Sequence, residues 1–408
     1  LESMQKFSLP KRIPSFHPPQ RTLMGPGPTE IHPRVLTTMS QPAIGYLDPV
    51  FVEMMEELKA LLRYVYQTAN PLTFPLSGPG SVGMEFCFVN LVAPGDKVIV
   101  CINGVFGQRM LENVIRMGGV PVVLDHEWGT PVDPERVKEA FEKHPDAKLL
   151  AVVHAETSTG CESDVAALAE IAHERDAMII VDAVTSLAGI PVKVDEWTLD
   201  AVYSASQKCL SCTPGLSPVS FSERAVEVVK KRNDRIHSWF MDMNLLLGYW
   251  GDSTRTYHHT APINMMYALY QGLSDILDEG VNEVWKRHQR VHQHLVDGLS
   301  ELGLDLFIQP EHRLPSLNTV IIPEGVTRVT PRAISGWTVE VSMVTLDKPI
   351  LLHGFEVTDV VGSVTWSGGT FPDYAYEQFE IRMMLPDTPG ERLDFPVHQG
   401  CETGELNW

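Results

Sequence analysis

Met178-Ile-Ile-Val-Asp182 is a short apolar run that ends in a carboxylate. It follows an amphipathic stretch from Asp164 to Asp176, and a second apolar run, Leu149-Leu-Ala-Val-Val153, precedes that stretch. Short runs that are apolar throughout and separated by helical patterns predict parallel strands buried between helices. The sequence therefore predicts an α/β fold with a mainly parallel sheet and helices on both faces.

The same pattern extends in both directions from this stretch. Lys97-Val-Ile-Val-Cys101 and Pro121-Val-Val-Leu124 are predicted as further buried strands. Residues 264–302 are predicted to be mostly helical, because apolar residues recur at helical spacing until Gly303. Asn318-Thr-Val-Ile-Ile322 is predicted as a strand. Those recurring apolar residues are Trp285, Val291, Leu295 and Leu299.

Composition limits the classes of protein to which the chain can belong. Its 408 residues are too many for one compact core, so at least two folding units are expected. A net charge of -20 argues against nucleic-acid and anionic-lipid partners and favours small molecules or proteins. The six scattered cysteines are typical of a reducing compartment, and neither a membrane-spanning run nor a signal-peptide pattern is present in the sequence. We expect a soluble, cytoplasmic protein.

Polar and small residues follow several of the predicted strands, where open α/β sheets bind ligands. Ser77-Gly-Pro-Gly-Ser81 is a small-residue turn that opens a helix, so its backbone N–H groups suit a phosphate. Most such turns bind nothing, and this one is a weak signal alone. Asp182 can be a helix N-cap, or it can hold a pyridine nitrogen protonated.

Lys208, in Ser204-Ala-Ser-Gln-Lys208, can form an imine with a cofactor aldehyde if burial or a neighbouring cation lowers its pKa. Most lysines are instead exposed surface residues. Phe106 can stack on a flat ring, or it can be a core aromatic. The order along the chain of turn, aromatic, strand-end acid and lysine is the order expected if one fold presents them to a single cofactor.

The chain resembles the class V aminotransferases of the alanine–glyoxylate and serine–pyruvate group over residues 20–323. The matching segments are Gly25–Thr29, Gly45–Pro49, Asn103–Arg109, His154–Gly160, Val181–Val184, Ser206–Lys208 and Tyr257–Thr260. This resemblance implies a fold-type I homodimer that uses pyridoxal 5'-phosphate (PLP). It also implies a transfer of the amino group from alanine or serine to glyoxylate or pyruvate.

The resemblance assigns roles to individual residues. Lys208 would be the Schiff-base lysine and Asp182 the partner of the pyridine nitrogen, the two catalytic residues. The other cofactor-binding roles would be ring stacking (Phe106), a hydrogen bond to the ring hydroxyl (Thr157), contacts to the phosphate (Gly80, Ser81 and Gln207) and contacts to the neighbouring subunit's phosphate (Tyr257 and Thr260). Gly27 is a candidate substrate-binding residue.

Two further groups suggest other chemistry. Cys209 and Cys212 form a C-x-x-C beside Lys208, but no second ligand pair is present in the sequence and we expect local packing. His258 and His259 could suggest a metal, yet adjacent side chains of an extended segment should point apart. No metal site is predicted.

After Pro323 the sequence changes character. Trp337–Val344, Leu351–Val357 and Ser363–Trp366 alternate apolar and polar residues and predict an antiparallel β module. This part resembles the second half of YcnI-like copper-associated domains, a partial all-β sandwich without that family's metal ligands. The matching segments are Gly336–Trp337, Val364–Gly369, Phe379–Pro386, Phe395–Gln399 and Gly404–Trp408.

The predicted organisation is therefore an N-terminal arm (1–20), a PLP-binding large domain (21–262), the start of a truncated small domain (263–323) and the β fragment (324–408). A fusion at Pro323–Val326 would remove the arginine that binds the substrate carboxylate in the family and impair the enzyme. Arg382 superficially resembles that arginine, but its surroundings match the β family. The alternative is an inactive PLP-fold protein with a β module for metal or protein contact.

Overall fold

The computed structural model describes residues 15, 17–18, 22–251, 255–321, 330–331, 338–352, 355–367, 381–382, 398–401 and 404–407. The chain divides into two compact units, Leu1–Ile321 and Ile322–Trp408. Most of the predicted N-terminal arm and the predicted join at Pro323–Val326 lie outside the described residues.

The first unit alternates helices and strands along the chain. Its helices are α1 (Pro33–Met39), α2 (Pro49–Tyr66), α3 (Gly80–Leu91), α4 (Val105–Arg116), α5 (Pro134–Lys143), α6 (Val165–Glu174), α7 (Glu223–Lys230), α8 (Met243–Trp250), α9 (Ile263–Glu279) and α10 (Val281–Glu301), with a 3-10 turn at Pro310–His312. Its strands are β1 (Leu72–Ser77), β2 (Lys97–Ile102), β3 (Val120–Asp125), β4 (Ala147–Val153), β5 (Ala155–Glu156), β6 (Cys161–Glu162), β7 (Met178–Asp182), β8 (Ala201–Tyr203) and β9 (Leu216–Phe221).

Seven of these strands form one sheet in the order β1-β9-β8-β7-β4-β2-β3. β3, β2, β4, β7 and β8 are parallel, whereas β9 is antiparallel to both of its neighbours. The prediction of an α/β fold with a mainly parallel sheet is confirmed. Since β7 lies fourth from either edge, the strand that ends in Asp182 occupies the middle of the sheet.

The apolar strands differ in how deeply they are buried. Every residue of β7 is buried, as its uninterrupted apolar sequence predicts. The predicted strand Pro121–Leu124 is confirmed within β3, but its predicted burial is wrong, because β3 is an edge strand and Val123 is 44% exposed. Periodicity does not distinguish an apolar edge strand from a central one.

Aromatic side chains fix α3 and α8 against the antiparallel edge of the sheet. Phe86 of α3 makes edge-to-face contacts with Phe74 of β1 and Phe221 of β9, at ring-centroid distances of 6.1 and 5.4 Å. Trp250 of α8 stacks on Phe74 at 5.3 Å. These contacts hold the N-terminus of α3, and with it the Ser77–Ser81 turn, at a fixed position over the sheet.

The helices predicted between residues 264 and 302 are present as α9 and α10. α9 packs on α1 and α2, and its buried residues belong to the same core as the sheet. α10 is buried at its start, which includes Trp285 of the predicted apolar face, but Val291 is 61% and Leu295 44% exposed, so the middle of that face is uncovered among the described residues. The domain boundary placed at 262/263 stays a prediction.

The prediction that Asn318–Ile322 is a strand is wrong within the described residues. Val320 makes only an isolated antiparallel bridge with Leu306, and the N–H of Ile321 donates to the carbonyl of Asp305 at 2.8 Å. A β-rich sequence becomes a strand only where a partner strand offers a continuous ladder of hydrogen bonds.

The second unit consists of antiparallel strand pairs in its described residues. Its strands are β10 (Thr330–Pro331), β11 (Thr338–Leu352), β12 (Phe355–Ser367), β13 (Ile381–Arg382), β14 (His398–Cys401) and β15 (Gly404–Asn407). β11 pairs with β12, β10 with β13 and β14 with β15. The predicted segment Leu351–Val357 is not one strand, because it spans the end of β11 and the start of β12. Gly336, Trp337 and Trp408 lie outside the described residues.

Candidate active site

Four of the predicted site residues lie at the end of parallel strands or on the segments that follow them. Asp182 is the last residue of β7, and Lys208 lies on the segment after β8. Phe106 follows β2, and Thr157 follows β4. Because the strands are parallel, their carboxyl ends meet at one edge of the sheet. The fold therefore brings together residues that are far apart in the sequence.

Asp182 is a fully enclosed carboxylate. Its Oδ1 accepts a hydrogen bond from the N–H of Val184 at 2.8 Å, and its Oδ2 accepts one from the hydroxyl of Tyr203 at 2.7 Å. Burial raises the pKa of Asp182 to about 7, although both hydrogen bonds oppose this shift. A cationic partner would therefore strongly stabilise the charged form of the Asp182 carboxylate.

Lys208 is half-buried under the Gly25–Thr29 loop. Its ammonium donates a hydrogen bond to the carbonyl of Pro26, and the N–H of Thr29 donates to the carbonyl of Gln207 at 3.1 Å. Burial lowers the pKa of Lys208, while the charges of Cys209 and Asp182 oppose this shift. Desolvation, rather than a neighbouring cation, therefore favours the neutral amine.

Gly27 touches Lys208 directly. A Cβ atom added at Gly27 would lie 2.6 Å from Nζ and 2.9 Å from Cδ of Lys208, and the φ angle of Gly27 is +127°. Only glycine adopts this backbone conformation readily and leaves room for the lysine. The structure thus places the candidate substrate-binding residue against the candidate catalytic lysine.

The small-residue turn lies against Val184 and Ala205, which are two residues after Asp182 and three before Lys208. A Cβ added at Gly80 would meet the Cβ of Ala205 at 2.9 Å and Cγ2 of Val184 at 3.4 Å. Gly80 and Ser81 begin α3, so free N–H groups and the positive end of the helix dipole are presented here. Within the described residues, the buried Oε1 of Gln207 has no hydrogen-bond partner. The turn and Gln207 together offer polar groups for a phosphate.

Phe106 is the second residue of α4 and is held there by Glu156. The buried carboxylate of Glu156 accepts hydrogen bonds from the N–H of Phe106 at 3.3 Å and from the N–H and hydroxyl of Ser158 at 3.0 and 2.6 Å. The guanidinium of Arg109 lies 4.7 Å from the centre of the Phe106 ring. One face of the ring is thus covered by a cation, and a ligand would use the other.

Thr157 is joined to the segment that follows Asp182. Its hydroxyl hydrogen-bonds the hydroxyl of Thr185, and both residues are buried. Gly80, Phe106, Thr157, Asp182 and Lys208 therefore all lie around the carboxyl edge of the sheet.

Tyr257 and Thr260 lie apart from this group. Their hydroxyls are 3.2 Å from each other, and Tyr257 is 54% exposed. Within the described residues, neither makes a hydrogen bond to Asp182 or Lys208. One of the two residues between them connects to the site, because Nε2 of His259 lies 2.7 Å from Oγ of Ser77, where the small-residue turn begins.

The expectation that His258 and His259 point apart is wrong. Their Nδ1 atoms are 2.9 Å from each other, and His258 stacks on Trp239 at a centroid distance of 4.6 Å. The segment is turned locally so that both rings pack inward. Burial, and then the charge of His258, lowers the pKa of His259 to about 4, so His259 is a neutral hydrogen-bonding residue near neutral pH.

The two cysteines beside Lys208 bond to different backbone carbonyls. Sγ of Cys209 donates to Thr185 at 3.7 Å, and Sγ of Cys212 donates to Ala268 at 3.4 Å. Burial raises the pKa of Cys209 to about 11 and that of Cys212 to about 12. No group of three metal-binding side chains was found in the described part of the chain.

Three residues around the site were not predicted from the sequence: Tyr203, Glu156 and Thr185. Glu156 lies within the quoted His154–Gly160 segment, but nothing in the sequence links it to Phe106. Tyr203 pairs with Asp182 across β7 and β8, and no local sequence pattern predicts this register. Arg382 lies on β13 of the second unit, and its side chain is outside the described residues.

Comparison with known proteins identifies the family of the chain. The family model described as "Aminotransferase class-V" matches residues 25–330. The mouse protein named alanine–glyoxylate aminotransferase is 37% identical over 310 residues, which are 75% of this chain and 75% of the mouse protein. The chain belongs to the class-V aminotransferase family.

Solved structures agree with the assignment of the chain to the class-V aminotransferase family. The crystal structure of alanine–glyoxylate aminotransferase from Nostoc sp. is 44% identical with a TM-score of 0.76, covering 78% of this chain and 84% of that one. Ureidoglycine–glyoxylate aminotransferase from Bacillus subtilis is 38% identical with a TM-score of 0.75, covering 77% and 81%. The predicted fold-type I architecture is confirmed for the first unit.

A second family model matches the end of this aminotransferase chain. It is described as "Domain of unknown function (DUF1775)" and covers residues 317–408, in agreement with the YcnI-like resemblance. The two matches overlap at residues 317–330, and the division between the two compact units falls within this overlap. None of the described helices is long and apolar enough to cross a membrane.

Class-V aminotransferases depend on pyridoxal phosphate, and the residues of this aminotransferase fit that cofactor. The buried Asp182 carboxylate suits a protonated ring nitrogen, and Gly80 leaves a space beside Val184 and Ala205 that a side chain would fill. The half-buried amine of Lys208 suits an aldehyde, and Gln207 has an unpartnered buried oxygen among the described residues. Asp182, Lys208, Gly80 and Gln207 would hold the cofactor.

Replacing Gly27 by alanine is expected to displace Lys208. The strained φ angle and the contact with Nζ should together cost about 1–3 kcal/mol and move either the loop or the lysine. Titration with pyridoxal phosphate, followed by visible absorbance, should show weaker binding. Gly25→Ala is the matched control, because a Cβ there meets nothing within 4 Å. Equal affinities for the two variants would contradict the proposed contact.

Replacing Asp182 by asparagine is expected to stabilise the cofactor-free protein at alkaline pH. The pKa of Asp182 is about 7 in the folded protein and about 3.9 in an unfolded chain, so the folded state binds this proton more tightly. The stability that this group contributes is complete below about pH 4, decreases as pH rises, and is lost above about pH 7.

Asp182→Asn removes that decrease and should raise the unfolding free energy at pH 8 by on the order of 2–4 kcal/mol relative to the wild type. The measurement is denaturant unfolding of both proteins without cofactor at pH 5 and pH 8. The same variant should bind pyridoxal phosphate much more weakly. An equal pH dependence in both proteins would show that Asp182 is not the responsible group.

Proposed function

We propose that the chain transfers the amino group of alanine or serine to glyoxylate or pyruvate, with pyridoxal phosphate bound at Lys208. The observation that carries this proposal is the convergence of Asp182, Lys208 and Gly80 at one edge of the sheet. Relatives named alanine–glyoxylate aminotransferase and ureidoglycine–glyoxylate transaminase support glyoxylate as an acceptor.

Each side chain has a role in this proposal that follows from its surroundings. When bound, pyridoxal phosphate supplies an aldehyde that exchanges amino groups and a ring that accepts electrons. Lys208, whose pKa is lowered by burial, provides a neutral amine that takes the proton from the substrate α-carbon. Asp182 holds a proton on the ring nitrogen. The hydroxyl of Thr157 is available to bind the ring hydroxyl, and Phe106 covers the ring.

Binding of the substrate carboxylate is the weak part of this site. The family resemblance places a carboxylate-binding arginine in the region where this chain continues into the second unit. A planar guanidinium binds a carboxylate through two parallel hydrogen bonds, and its loss leaves the substrate poorly oriented. We infer that the enzyme binds its cofactor normally, saturates poorly with amino acids and turns over slowly.

We also propose that the chain acts as a homodimer. Apolar side chains are exposed around Tyr257, whose ring packs on Tyr46 at a centroid distance of 5.0 Å. Leu47 is 47% and Trp239 62% exposed. A second copy covering these side chains would bring its own Tyr257 and Thr260 to the phosphate turn of the first.

Alanine and glyoxylate, mixed with the full chain and pyridoxal phosphate, should give pyruvate and glycine. The Lys208→Ala variant should give neither product and should lack the visible absorbance of the bound cofactor. Lys231→Ala, which removes an exposed lysine, should behave like the wild type. If the absorbance is present but no amino donor yields product, then the chain is a cofactor-binding protein without transaminase activity.

The proposed role of Tyr257 in the partner's site can be tested with mixed dimers. Lys208→Ala and Tyr257→Phe chains, co-expressed with different affinity tags and purified through both, should form one complete site per dimer. Such dimers should recover about half of the wild-type cofactor absorbance at a cofactor concentration too low to load either variant alone. Absorbance no higher than that of the Tyr257→Phe homodimer would show that Tyr257 acts on its own subunit. In the control dimer, a Tyr46→Phe chain takes the place of the Tyr257→Phe chain and is paired with the same Lys208→Ala chain.

A further inference from the structure

Tyr203 is the residue that most directly contacts Asp182, and the family resemblance gives it no role. It ends β8, lies opposite Asp182 in the parallel pairing with β7, and has no exposed surface. Its hydroxyl donates to Oδ2 of Asp182 at 2.7 Å. Among the described residues, it is the one side chain that hydrogen-bonds this carboxylate.

The surroundings of Asp182 leave it with few stabilising groups. The side chains that act on it electrostatically are Tyr203, Glu156, Lys208, Tyr66 and Cys87. The Glu156 carboxylate raises the pKa of Asp182, and the Lys208 ammonium lowers it. Tyr66 and Cys87 stay neutral because burial raises the pKa of each. The Tyr203 hydroxyl is thus a principal group that opposes the rise in the pKa of Asp182 caused by burial.

The hydroxyl of Tyr203 remains a donor throughout the working pH range. Burial, together with the charge of Asp182, raises the pKa of Tyr203 well above that of an exposed tyrosine. The bond to Oδ2 and the bond from Val184 to Oδ1 hold both oxygens, so the carboxylate cannot rotate freely. Each oxygen retains a second lone pair for another partner.

We propose that Tyr203 is a positioning residue that keeps Asp182 ionised and oriented toward a cationic ring nitrogen. This inference rests on the proposed function in one respect, because the cation is taken to be the ring nitrogen of pyridoxal phosphate. A hydrogen bond to the charged form of an acid stabilises that form, and the effect is large in a dry interior. Without the hydroxyl, a larger fraction of Asp182 is protonated near neutral pH and cannot pair with a pyridinium.

Tyr203→Phe tests this role, and Tyr66→Phe is its matched control. Both tyrosines are fully buried, and both variants lose one hydroxyl and one hydrogen bond. The hydroxyl of Tyr66 donates to the uncharged carbonyl of Pro218 at 2.9 Å, not to Asp182. A purely structural effect should therefore be similar in both variants.

The dissociation constant of pyridoxal phosphate should be measured by visible absorbance from pH 6 to pH 9 for the three proteins. We expect Tyr203→Phe to bind about tenfold more weakly at pH 7, with the difference shrinking toward pH 9, where Asp182 ionises in both. Tyr66→Phe should keep the wild-type pH profile. The same profile for Tyr203→Phe and Tyr66→Phe would overturn the proposal.

Unfolding of the cofactor-free proteins separates this inference from the proposed function. Tyr203→Phe should raise the folded-state pKa of Asp182. The Tyr203→Phe protein should therefore continue to lose stability up to a higher pH than the wild type or the Tyr66→Phe protein does. The difference should vanish when Asp182→Asn is added. If the wild type does not bind pyridoxal phosphate, the proposed function fails. The unfolding measurement still decides the role of Tyr203. If Tyr203→Phe changes the pH dependence of stability even in the presence of Asp182→Asn, the proposed role of Tyr203 is refuted.

Discussion

The buried carboxylate of Asp182 is the constraint on which the rest of this site depends. A charge in the centre of a sheet is costly unless it is hydrogen-bonded and paired. Here two donors, the N–H of Val184 and the hydroxyl of Tyr203, hold the two oxygens, yet burial still raises the pKa of Asp182 to about 7. The protein thus holds a carboxylate whose charge is stabilised most by an adjacent cation.

The surrounding elements are arranged to admit such a cation together with its ring and phosphate. The Gly80 turn lies against Val184 and Ala205, so the helix N-terminus that suits a phosphate is fixed relative to Asp182. Lys208 lies under the loop that contains Gly27, and its Nζ donates a hydrogen bond to the carbonyl of Pro26. The parallel strands make this possible because their carboxyl ends deliver consecutive loops to a single edge.

The described residues that would hold the cofactor all lie in the first unit. The first unit contributes a continuous core and the whole carboxyl edge of the sheet. By contrast, α10 leaves Val291 and Leu295 exposed, and the chain continues into β pairs that match a different family. Under the proposed loss of the carboxylate-binding arginine, the chemistry of the lysine would be retained and the rate would fall through poor orientation of the substrate.

The sequence by itself determined the α/β class, and it predicted Asp182 and Lys208 as the two principal site residues. Those features are local: an apolar run shows burial, and a polar residue at its end shows where the strand stops. The sequence did not reveal that β3 is an edge strand or that His258 and His259 face each other, because both depend on neighbours in space.

Only the tertiary structure decided which residues control the two principal ones. Tyr203 reaches Asp182 across 21 residues of chain, and Pro26 accepts a hydrogen bond from Lys208 across 182. Such partners are set by strand register and loop packing, which have no local signature in the sequence. The ionisation of a buried group depends on all of its neighbours together, so the pKa of Asp182 follows from the folded chain and from no single segment of it.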